Sequence, residues 1–103
     1  MSEKTSMNLE VIKVKLRENS GKDVMVFEFP DEKINVNLNE TSGQKDFKTV
    51  FEKLLKILND IDVELELSID DQYKKVLYKE VCNEYILELN KEIKQIREEI
   101  EKL

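Results

Sequence analysis

Residues 47–69 read FKTVFEKLLKILNDIDVELELSI, and the spacing of their apolar positions changes once, at Asn59-Asp60. Before that point Phe47, Val50, Phe51, Leu54, Leu55 and Leu58 follow steps of three and four, which puts them on one face of a helix. After it Ile61, Val63, Leu65, Leu67 and Ile69 alternate with Asp60, Asp62, Glu64, Glu66 and Ser68, so one face of an extended strand is apolar and the other polar. A helix leading straight into a strand makes this a mixed protein, around which the remaining segments can be placed. Thr41 or Ser42 is the expected helix cap, because a hydroxyl there can accept from the free N–H groups of the first turn.

On the N-terminal side lie three further strand patterns. Asn8 to Leu16 (NLEVIKVKL) alternates, but its phase slips between Val11 and Ile12. A β-bulge at that point would keep Leu9, Val11, Ile12, Val14 and Leu16 on one core face. Asn19-Ser20-Gly21 is a turn signal, and Val24 to Phe29 returns with Met25, Phe27 and Phe29 on one face. Pro30-Asp31 makes the next corner, after which Ile34, Val36 and Leu38 alternate with Asn35, Asn37 and Asn39. On the C-terminal side, Asp70 or Asp71 is positioned to cap a last helix running from about Gln72 to the end.

The predicted fold is therefore α+β in the order β-β-β-α-β-α: a three-stranded antiparallel meander, a helix, a fourth strand and a long C-terminal helix, with a single helix layer on one sheet. At 103 residues, 40% hydrophobic and 39% charged, the chain has the size of one domain with one modest core and a heavily solvated surface. Residues 1–7 are polar and expected to be a disordered N-terminus, 8–81 the core domain, and 82–103 an extended coiled-coil-like segment continuous with it. The fourth strand is predicted to lie parallel to the first, in the order 4-1-2-3, which sets Lys13, Lys15 and Arg17 opposite Asp62, Glu64 and Glu66.

Charge is distributed unevenly. Residues 1–59 hold ten basic and ten acidic side chains, and residues 72–103 hold seven of each. The whole net charge of −6 thus sits on Asp60, Asp62, Glu64, Glu66, Asp70 and Asp71, with no base among them. Those at even strand positions form a row on one face, spaced about 6.5–7 Å apart. Such a row is compatible with a solvated sheet face paired to the bases of the first strand. It is also, as the second reading, the pattern of a docking surface for a basic partner. A divalent metal site fits poorly, since hard cations need oxygen ligands that converge, and a flat row does not.

In the last helix, Cys82, Ile86, Leu89, Ile93, Ile96, Ile100 and Leu103 recur at alternating steps of four and three, a two-in-seven seam over three heptads. Tyr73, Val76, Leu77 and Val81 occupy a different face. They are expected to pack on the domain, leaving the seam for self-association through the C-terminal helix, with Glu92 and Arg97 as an interchain pair. Packing of the seam on the first helix of the same chain, or on a helix of another protein, are the alternatives.

Reactive chemistry is sparse. Without any His, general acid/base catalysis by imidazole, Ser-His or Cys-His pairs and His-ligated metals are excluded. Phosphate-binding glycine motifs and C-x-x-C pairs do not occur, and Cys82, the one cysteine, is expected to be a small core residue. No catalytic residue, cofactor or metal is predicted. Tyr73, Tyr78 and Tyr85 form no aromatic platform on a basic surface, so direct nucleic-acid binding is not expected at this net charge. The polar N-terminus, the absence of any apolar run of about 18–20 residues and the lone cysteine point to a cytoplasmic protein without a membrane segment. The functional expectation is a non-catalytic interaction or regulatory protein, an oligomerising adaptor or small subunit presenting an acidic face to a protein partner. The alternative is a small inhibitor that mimics nucleic acid and occupies the binding cleft of another protein.

Overall fold

The computed structural model describes residues 9–39 and 43–102; the N-terminal segment expected at 1–7, the caps at Thr41 or Ser42, and Leu103 of the seam lie outside the described residues. Strands β1 (Leu9–Asn19), β2 (Lys22–Glu28) and β3 (Lys33–Asn37) are followed by helix α1 (Gly43–Leu58), strand β4 (Asp62–Ile69) and helix α2 (Val76–Lys102). Four strands form one sheet in the order β3-β2-β1-β4. The β1–β2 and β2–β3 pairs are antiparallel and β1–β4 is parallel, as the sequence predicts.

The β1–β2 hairpin turns through Ser20 and Gly21, both at positive φ (55° and 79°), the conformation that matches the twist of a two-residue hairpin. Ile12, Val14 and Leu16 of β1, Met25 and Phe27 of β2, Val36 of β3, and Val63 and Leu65 of β4 form the covered face. Val50, Leu54 and Leu58 of α1 and Cys82, Ile86, Leu89 and Ile93 of α2 close over it in a single core. Among the described residues no helix lies on the opposite face of the sheet.

Three expectations are corrected. First, β1 has no bulge: its register with β4 runs unbroken from Leu9–Asp62 to Leu16–Ile69, so strict alternation throws Leu9 and Val11 onto the open face. They are 52% and 41% exposed. Second, the first four residues of the α2 seam face the chain's own core: Cys82, Ile86, Leu89 and Ile93 are at most 5% exposed, and the partly buried Ile96 and Ile100 pack against the same core. Arg97 is engaged within the chain. Its Nη1 donates to the Leu58 carbonyl at 2.6 Å, satisfying the end of α1, and its Nε lies 3.5 Å from Glu101.

Third, α2 begins at Val76, not near Gln72. Asp70 Oδ1 accepts from the Gln72 N–H at 3.0 Å and shapes a turn in place of a helix cap. Tyr73 is then drawn into the core, while Val76, Leu77 and Val81, expected to be buried, stay 62%, 69% and 52% exposed. The two apolar faces of the C-terminal segment have exchanged roles because a sheet needs a broad helical cover, and the seam, not the first turns, lies over it.

The burial of Ile93 gives a direct check. Replacing Ile93 with Lys removes about 1.5–3 kcal/mol of apolar burial and adds the cost of an unpaired buried ammonium. Ile93→Lys is expected to lose the folded circular-dichroism spectrum, whereas an interchain seam would yield a folded monomer.

Candidate acidic docking site

β4 is an edge strand, and hydrogen bonding assigns each of its residues a direction. The Asp70 N–H donates to the Leu16 carbonyl of β1 at 3.2 Å, so even-numbered backbone groups face β1. Odd-numbered groups face outward: the Leu65 N–H donates to Asn90 Oδ1 at 2.9 Å and Asn90 Nδ2 donates back to the Leu65 carbonyl at 3.0 Å. A side-chain amide from α2 thus takes the place of a neighbouring strand at one position of the edge. Above it, Leu67 and Ile69 have no partner for their outward N–H and C=O groups among the described residues.

The predicted acidic row lies where the alternation places it. Glu64, Glu66, Asp60, Asp70 and Asp71 are exposed and Asp62 is half-buried, with Asp62 Oδ1 accepting from the Val63 N–H at 2.9 Å. The expected pairing with bases is only partly realised. Lys13 stands beside Glu66, but Glu64 lies beside Val11, Asp62 beside Leu9, and Lys15 beside Ser68. Lys15 turns the other way, to Glu28 on β2 at 3.3 Å. None of the six acids forms an ion pair among the described residues.

Between the lower end of β4 and α2 lies a groove of about 370 Å³. Leu9, Leu87 and Ile93 give it apolar walls, Asp62 and Glu64 line the strand side and Lys91 and Lys94 the helix side. The exposed Leu9 (52%) and Leu87 (63%) both line it, which places the start of β1 beside Asp62 and Glu64. No three carboxylate or thiol side chains converge as a metal-binding group among the described residues. Cys82 is buried, and burial pushes its thiol up to about 11, so it stays protonated at neutral pH.

A polar centre not anticipated from the sequence sits on the covered face, at Asp23 of β2, which is fully buried. The Tyr73 hydroxyl donates to its Oδ1 at 2.8 Å, and Lys75 Nζ and Asn39 Nδ2 donate to Oδ2 at 2.9 and 3.1 Å. The Asp23 N–H and carbonyl are also used, by Asn39 Oδ1 at 2.6 Å and the Leu38 N–H at 2.8 Å. Burial works to raise its pKa, but the hydrogen bonds from Lys75, Tyr73 and Asn39 together outweigh it and hold the carboxyl below its ordinary value. Lys75 is raised chiefly by its bond to Asp23, and Tyr73 is raised by burial and then by the same carboxylate. This centre ties β2 to the segment before α2 and to the loop after β3. One signal in the sequence marked it: Asp23 shares the phase of Met25, Phe27 and Phe29, the core face of its strand.

No helix among the described residues is long and apolar enough to cross a membrane. No family model, no curated protein and no solved structure matches this chain.

Asp23 makes stability depend on pH with a definite sign. Its folded pKa is depressed, so its contribution is fully present above the ordinary value of 3.8 and is lost as pH falls through the lower folded value. Denaturant midpoints of the wild type and Asp23→Asn are expected to differ at neutral pH and to converge below the ordinary value. Tyr73→Phe, which removes one donor from a buried carboxylate, is expected to cost about 1–2 kcal/mol at neutral pH.

Proposed function

We propose that this protein is a non-catalytic interaction module that presents the acidic face of β4 to a basic protein partner. One observation carries the proposal. The six carboxylates that hold the whole net charge of −6 stand on or beside one edge strand, and none is ion-paired among the described residues. Carboxylates matched by neighbouring bases would be spent within the fold. A row left unmatched keeps its field for a partner, where it speeds encounter and selects against acidic surfaces. The apolar groove bounded by Leu9 and Leu87 supplies adjoining contact area of the kind that charged rims surround. The shielded, protonated thiol of Cys82 and the structural role of Asp23 agree with a binding function in place of a chemical one.

Charge reversal at the row tests this directly. Glu64→Lys with Glu66→Lys is expected to lose the basic proteins that the wild type captures from a native lysate. Glu98→Lys with Glu99→Lys makes the same change in net charge on α2 and is expected to retain them. Equal capture by all three proteins would remove the acidic row as the docking site, and displacement of the captured partner by added polynucleotide would assign the row to nucleic-acid mimicry.

A further inference from the structure

The acids of β4 border a second unmatched feature, the free upper edge of the same strand, and the two together specify a mode of binding. α2 crosses the sheet obliquely. Near its start Cys82 and Val81 lie with Met25 of β2, and two to three turns later Asn90 has reached the outer edge of β4 at Leu65. The helix therefore seals the edge at one residue and leaves Leu67 and Ile69 above it, with outward backbone groups unpartnered among the described residues. Edge strands are ordinarily blunted by Lys, Pro or a bulge. The upper half of β4, Glu66 to Ile69, has none of these.

We infer that an extended basic segment of a partner protein pairs with β4 from Leu67 to Ile69 as a fifth strand of the sheet. This rests on the acidic docking proposed above and specifies its geometry. Side chains on an added strand alternate between the two faces of the sheet. Those on the open face stand beside Glu66, Ser68 and Asp70, so bases are favoured there. Those on the covered face extend the half-buried pair Leu67 and Ile69, so apolar residues are favoured in between. The partner segment is thus an alternation of Lys or Arg with β-branched apolar residues, bound through main-chain hydrogen bonds and selected by its side chains. A second copy of this chain is a poor occupant of the same edge. Pairing β4 with β4 would set Glu66 and Asp70 against acids of the other copy, and like charges directly across a pair are destabilising.

A short peptide of alternating Lys and Val is the probe, compared with the same peptide N-methylated on every residue whose N–H faces β4. N-methylation keeps charge and side chains but removes the main-chain donors. The unmodified peptide is expected to bind and to slow hydrogen exchange at the Leu67 and Ile69 amides, and the methylated peptide to bind about tenfold or more weakly. Equal binding of the two peptides, with both amides still exchanging freely, would overturn strand addition while leaving acidic docking in place. Absence of binding by either peptide would also overturn strand addition, and acidic docking would then stand or fall on the lysate capture alone.

Discussion

The parallel ladder between β1 and β4 is the constraint from which the other features follow. Parallel neighbours cannot be joined by a tight turn, so the chain must leave the meander after β3, pass over the sheet as α1 and re-enter at the far edge. That path fixes α1 on one face and makes β4 an edge. It also ends β4 at the same end of the sheet as β1, so α2 can cover the remaining core only by running back across it. Eight continuous pairs in this ladder leave no room for an extra residue, which is why β1 accepts two exposed apolar side chains in preference to a bulge.

At three places where this path would strand a backbone or charged group, a side chain from α2 or its approach answers it. Asn90 completes Leu65 at the sheet edge, Arg97 completes Leu58 at the end of α1, and Tyr73 and Lys75 meet Asp23. Buried polar groups of this kind contribute modestly when paired and cost more when one partner is removed. They therefore fix where α2 lies as much as how firmly it is held. The apolar stripe from Cys82 to Ile93 would tolerate rotation or sliding on the sheet, and Asn90 and Arg97 would not.

The elements and the strand order were legible because alternation and helical spacing identify faces, and faces decide layers. Register was not. A strand can slip by an even number of residues without turning any side chain to the wrong face, so Lys13 could be placed on the right side of the sheet and still stand beside Glu66, not Asp62. The seam on α2 misled for a related reason. A seven-residue repeat drifts only about 20° per heptad from a straight helix, so three heptads describe a stripe facing a sheet as well as one facing another helix. The late start of α2 was hidden because its cause lies fifty residues away, in a buried carboxylate that draws Tyr73 out of helical conformation. Of the candidate site, the acidic row was visible as charge, but its lack of partners depended on the register and could not be read from composition.

That lack of partners bears on how an exposed edge strand survives. A row of free N–H and C=O groups recruits other strands, and the nearest source at high local concentration is another copy of the same chain. Asn90 answers this at one residue only. For the rest of β4 the acids take over. Any two copies that align these edges bring the acidic rows of both chains together, and in each chain Lys13 is the one base that the ladder sets directly opposite a carboxylate of β4. Repulsion of that kind acts against acidic strands without penalising basic ones, so the same charges that guard the edge leave it selective. An edge guarded by Lys would repel the proposed partner, and one guarded by Pro would admit none. Carboxylate guarding is the form of edge protection that is compatible with a basic strand as guest.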